Sequence, residues 1–132
     1  MNDHPPPRRT ILVVEDECFI RMNAAEIVQD DGLEVLEASN AAEALEILRS
    51  HPEVAVLFTD IDMPGDMTGL ELADRVHRQR PEIQLLVTSG RTRPKAAEIA
   101  DNGVFLAKPY SADDLTSAIR ALMAREGDAG AI

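Results

Sequence analysis

Four short segments of this chain are apolar along their length rather than alternately: TILVV (Thr10 to Val14), VAVLFT (Val54 to Thr59), QLLVTS (Gln84 to Ser89) and VFLA (Val104 to Ala107). A strand with one wet face alternates apolar and polar residues. A strand without that alternation is buried on both faces, as in a parallel sheet covered by helices on each side. A fifth run, LEVLEA around Val35, is more mixed and suits an edge strand. Helical stripes fill the gaps: Ile20, Ala24, Ile27 and Val28 after the first run, and Leu115, Ile119, Leu122 and Met123 after the last. Ala41, Leu45 and Leu48 form another, and Leu72 with Val76 a further one. Asn40 and Ser111, each with an acid three residues on, suit helix N-caps. Gly32 and Gly103 stand where helices should stop. RPKAAEIADN carries mostly alanines and predicts a short helix. Strand and helix thus alternate five times. Right-handed crossovers wind such a (βα)5 chain into an open, doubly wound parallel sheet, whose ligands bind beyond the carboxyl ends of the strands.

At 132 residues the chain is about one domain. Residues 1–9, with Pro5, Pro6 and Pro7, read as a flexible extended arm, 10–125 as the folded domain and 126–132 as a disordered tail. A net charge of −11 excludes a nucleic-acid surface, which needs a basic stripe. No apolar run approaches the ~20 residues of a membrane span, and the first residues lack the apolar middle of a signal peptide. A single cysteine cannot pair within the chain, so the expected compartment is the cytoplasm. Cys18 itself, beside three acids, is expected to be structural and unreactive. His4, His51 and His77 have no ligand spacing.

The chemistry gathers at the strand ends. Glu15, Asp16 and Glu17 follow the first run, Asp60 and Asp62 the third, Thr88 and Ser89 close the fourth, and Lys108 and Pro109 follow the fifth. Two carboxylates about 4 Å apart repel by roughly 4 kcal/mol at an intermediate effective dielectric. A divalent cation relieves that repulsion, and all-oxygen ligands point to Mg²⁺ or Mn²⁺. A cation, an ammonium, a hydroxyl and a nucleophilic oxygen are together what a phosphoryl group requires. Two chemistries fit: an aspartate that takes up a phosphoryl group, or the acid pair of a hydrolase.

VVEDE, TDIDMPG, LLVTSG and FLAKPY, in that order, resemble the receiver domain of two-component response regulators from Thr10 to about Arg125. The resemblance implies a flavodoxin-like sheet of strand order 2-1-3-4-5 and phosphate supplied by a histidine kinase or a histidine phosphotransfer protein. It makes Asp60 the phospho-acceptor. Asp16, Asp60 and the backbone carbonyl of Asp62 would ligate Mg²⁺, and Glu15 would act through water. Thr88 would bond the phosphoryl group and Lys108 would pair with it, with Lys108–Pro109 cis. Thr88 and Phe105 would form the switch that carries the signal to a downstream protein, and a homodimer through helix 4, strand 5 and helix 5 is one expected assembly. The wording is common both to stand-alone regulators and to receivers within hybrid kinases.

Two departures stand out. Glu15 replaces the commoner aspartate, and Phe105 lacks the hydroxyl of the commoner tyrosine. Each residue also has a plainer reading: a turn cap for Asp60, a backbone-satisfied hydroxyl for Thr88, a solvated cation for Lys108, ordinary core for Phe105. Asp113 and Asp114 suit a helix N-terminus. The rival enzyme is a haloacid-dehalogenase-type phosphatase with Asp60 as nucleophile and Asp62 as acid–base. In that reading the EDE triplet has no role. A flavodoxin-like cofactor binder would place a glycine- or threonine-rich loop where those three acids stand.

Overall fold

The computed structural model describes residues 9–100 and 103–130. The arm expected over 1–9 therefore lies outside the described residues except for Arg9, as do residues 131–132 of the expected tail. The elements are β1 (Thr10–Val14), α1 (Cys18–Asp30), β2 (Glu34–Ala38), α2 (Ala41–Ser50), β3 (Val54–Asp60), α3 (Gly69–Gln79), β4 (Gln84–Ser89), a 3-10 turn (Ala96–Glu98), β5 (Val104–Ala107) and α4 (Ala112–Gly130). All five strands pair in parallel in the order β2-β1-β3-β4-β5. The expected doubly wound sheet is what the chain forms.

Alternation along the strands divides the interior in two. Leu12, Val14, Leu57, Leu85 and Val87 face the cluster built with α2 and α3. Ile11, Val13, Phe58 and Leu86 face the one built with α1 and α4, where Val28, Leu115 and Ile119 close the other side. The central strands β1 and β3 are buried along their whole length, which is why no charged residue interrupts them before Asp60.

Side-chain caps set three of the four helix starts. Asn40 accepts from the Glu43 amide at 2.8 Å, and Thr68 with Glu71 forms a reciprocal capping box. Ser111 and Asp114 make a second reciprocal pair. α1 has no such cap at Glu17, so it springs directly from the acidic loop after β1. Gly69 begins α3 hard against the end of β3. A Cβ there would stand 2.0 Å from the Asp60 carbonyl oxygen, so only glycine lets α3 start so close to the site.

Two expectations need correction. The segment between β4 and β5 forms only a 3-10 turn among its described residues, not an α-helix. Its alanines offer little apolar surface and Pro94 withholds an amide, so Ile99 is the one large side chain it buries. Among the described residues, the face expected to join homodimers has this 3-10 turn where its first helix was expected. α4 also runs on to Gly130, past the end expected near Arg125.

Candidate functional site

Glu15 and Asp16 leave the end of β1, and Asp60 ends the neighbouring β3, so the sheet itself brings them together. Carboxylate oxygens of all three lie within 4.8 Å of one another. Glu15 and Asp60 are almost wholly buried (4% and 5% exposed), whereas Asp16 is open to solvent. Lys108, just past β5, sends Nζ to Glu15 Oε1 at 2.6 Å and to Asp60 Oδ2 at 3.1 Å. The Lys108–Pro109 peptide is cis, as the resemblance implied.

One ammonium shared between two buried carboxylates leaves a surplus of negative charge. Burial raises the Glu15 carboxyl above its ordinary range, and the bonds from Lys108 and the Glu17 amide only partly oppose this, while the Asp60 charge adds to it. Burial pulls the Lys108 ammonium down, but its bonds to Glu15 and Asp60 outweigh that, so it is held above the usual lysine range and stays charged. Burial also pushes the Tyr110 phenol up; its ring meets Phe58 edge-on at 5.7 Å.

The donor set passes a simple test for a hard cation. It offers oxygens only, from two buried acids and one exposed one, and it already holds an ammonium where a cation belongs. These residues could hold a metal ion.

Asp62 serves differently. Its amide donates to Asp60 Oδ1 at 3.1 Å, but its carboxylate turns toward the β4–β5 connection. There it accepts from the Ser89 hydroxyl and, at 3.1 Å, from the Thr92 hydroxyl.

Thr88 stands opposite Asp60 in the β3–β4 ladder, with its hydroxyl engaged within the sheet. Its side chain is buried and its hydroxyl donates to the Leu106 carbonyl at 2.6 Å, within the sheet. The hydroxyl at the edge of the acid loop belongs to Ser89, one residue on. Thr88 pairs with Asp60 and Leu106 within the sheet, whereas Ser89 ends β4 and its hydroxyl oxygen accepts from the Arg91 and Thr92 amides of the loop beyond. Phe105 is half-buried and packs against the α2–α3 cluster. Cys18 is exposed rather than structural, with its thiol 3.5 Å from the Met22 sulfur.

A parallel sheet of this order, with an aspartate ending its central strand beside two acids and a lysine, defines a class of signalling domain. A family model described as the response regulator receiver domain matches residues 11–120, and the chain belongs to that family. It is 34% identical to the transcriptional regulatory protein PdtaR of Mycobacterium tuberculosis, over 93% of this chain and 60% of that protein. It is 31% identical to the sensor kinase CckA of Brucella abortus, over 89% of this chain and 13% of that protein. It thus spans only part of each curated relative. Among solved structures, a receiver domain protein from Clostridium thermocellum superposes with a TM-score of 0.82 at 29% identity, covering 90% of this chain and 97% of that one. A CheY-like receiver from Methanospirillum hungatei gives 0.83 at 25%, covering 91% and 97%.

The chain is a receiver domain of the two-component class, a signalling switch whose family accepts phosphate from histidine kinases. The phosphatase reading is not supported: Asp113 and Asp114 begin α4, and Asp114 is taken up in capping it. No helix among the described residues is long and apolar enough to cross a membrane.

Proposed function

We propose that Asp60 is the phospho-acceptor, taking a phosphoryl group from a histidine kinase or a histidine phosphotransfer protein in the cytoplasm. One observation carries this: a buried carboxylate at the end of the central strand, bonded to Lys108 and grouped with Glu15 and Asp16. In the transfer an Asp60 oxygen bonds to phosphorus as the donor's nitrogen–phosphorus bond breaks, and the donor imidazole keeps the electron pair. Asp16, Asp60 and the Asp62 carbonyl would hold Mg²⁺, with Glu15 acting through water. When bound, the ion neutralises charge on the phosphoryl oxygens.

Lys108 moves from pairing two carboxylates to pairing the phosphoryl group, and Ser89, in place of Thr88, donates its hydroxyl to it. Phosphorylation adds about two negative charges. Phe105, half-buried beside this change, is the residue that repacks and carries it to a partner protein. The chain acts as a switch and catalyses no reaction beyond its own phosphorylation and dephosphorylation.

Intact-mass measurement after incubation with acetyl phosphate and Mg²⁺ tests the assignment. Wild type should gain one phosphoryl mass and Asp60→Asn none. Full incorporation by Asp60→Asn would refute it.

A further inference from the structure

The Asp62 carboxylate and the residues on it form an arrangement that the acceptor reading does not use. The Ser89 hydroxyl donates to Asp62 Oδ2, and the Thr92 hydroxyl donates to Oδ1 at 3.1 Å. Two backbone amides, of Arg91 and Thr92, donate in turn to the Ser89 hydroxyl oxygen at 3.0 and 2.8 Å. A serine hydroxyl carries one proton. Here that proton is given to Asp62, while the amides occupy the accepting side of the oxygen. Thr92 holds the same carboxylate from its other oxygen, and the Asp62 amide ties it to Asp60.

We propose that Thr92 is a positioning residue: acting through the Asp62 carboxylate, it holds the Ser89 hydroxyl in a resting orientation from which a phosphoryl group on Asp60 must withdraw it. This rests on Asp60 being the acceptor and Ser89 the hydroxyl that meets the phosphoryl group. Its consequence is a bias between two states. Every bond that holds Ser89 on Asp62 favours the unphosphorylated form, and a ligand at Asp60 shifts the balance only by its preference for the other. The loop over residues 90–95, with exposed Arg91, Arg93 and Lys95, is tied to the same hydroxyl by the two amides. Withdrawal of Ser89 loosens that basic segment of an otherwise acidic chain.

The test uses beryllofluoride, a mimic of the phosphoryl group, titrated calorimetrically into the full chain at saturating Mg²⁺. Thr92→Val deletes one bond to the resting carboxylate and should bind roughly three- to tenfold tighter. Thr92→Ser keeps the hydroxyl and should match wild type. A residue serving only to stabilise the loop would give weaker or unchanged binding in Thr92→Val, and either result overturns the proposal. Should Thr92→Val fail to fold, amide hydrogen exchange on wild type decides. The Arg91 and Thr92 amides should be protected in the free chain and lose protection on beryllofluoride binding; protection unchanged overturns the proposal. Binding by wild type but not Asp60→Asn, with Thr92→Val unchanged, removes the Thr92 role alone. No binding by wild type, or equal binding by Asp60→Asn, removes the acceptor reading and this proposal with it.

Discussion

Glu15 shows at the residue scale how a site can be costly to its own fold. Its carboxyl is held above the ordinary range chiefly by burial, so the charged form is less favourable folded than unfolded. A carboxyl raised in the folded state lowers stability once pH exceeds its folded pKa, and that penalty fades as pH falls toward the ordinary carboxylate value. Glu15→Gln removes the titration. Thermal melts in chelator-treated buffer should show the variant gaining on wild type as pH rises from about 4 to about 7. A difference flat with pH would contradict it. Lys108 gives a second test. Its ammonium occupies the space among the carboxylates at 2.6 and 3.1 Å, so it competes with a divalent cation. Lys108→Ala should bind Mg²⁺ about tenfold more tightly, ~1.4 kcal/mol, yet retain phosphoryl groups poorly. Calorimetry and intact mass respectively measure the two effects, and weaker Mg²⁺ binding would count against the competition.

Among the elements, Arg80 at the end of α3 makes the most informative contact. Its guanidinium donates to the carbonyls of Leu48, His51 and Pro52 and pairs with Glu82, so it closes the C-terminus of α2, where helix carbonyls lack partners of their own. Arg80→Ala should lower unfolding free energy by about 1–3 kcal/mol in urea titration, with the acceptor site still competent. What was legible in the sequence follows from what is strongly patterned. The β1, β3 and β4 strands were visible because burial on both faces leaves few polar residues, β5 because its run is apolar although it is only half-buried at the sheet edge, and the caps at Asn40 and Ser111 because their chemistry is local. The fourth helix was misjudged because alanines with one proline encode neither a firm helix nor a firm loop. Thr88 and Ser89 are adjacent hydroxyls that look alike in sequence. Only the turn at the end of β4 separates one facing β5 from one facing Asp62. Thr92 gave no signal at all, since its role arises from a loop closing onto a residue thirty positions earlier.

At the scale of the whole molecule, distant parts of the chain are drawn to one edge of the sheet, and the rest of the fold holds them there. Asp31, just past the end of α1, and Arg120 on α4 tie the two helices of one face together, and the bond from Arg120 holds the Asp31 carboxyl below its ordinary range. The central claim is narrower than the fold: Asp60 carries the phosphoryl group. The most direct measurement is borohydride trapping of the acyl phosphate after reaction with a phosphorylated histidine donor and Mg²⁺, followed by peptide mapping. The account predicts reductive modification at Asp60 alone, near one per chain. Modification at Asp16, Asp62 or any other residue, with Asp60 intact, would contradict it.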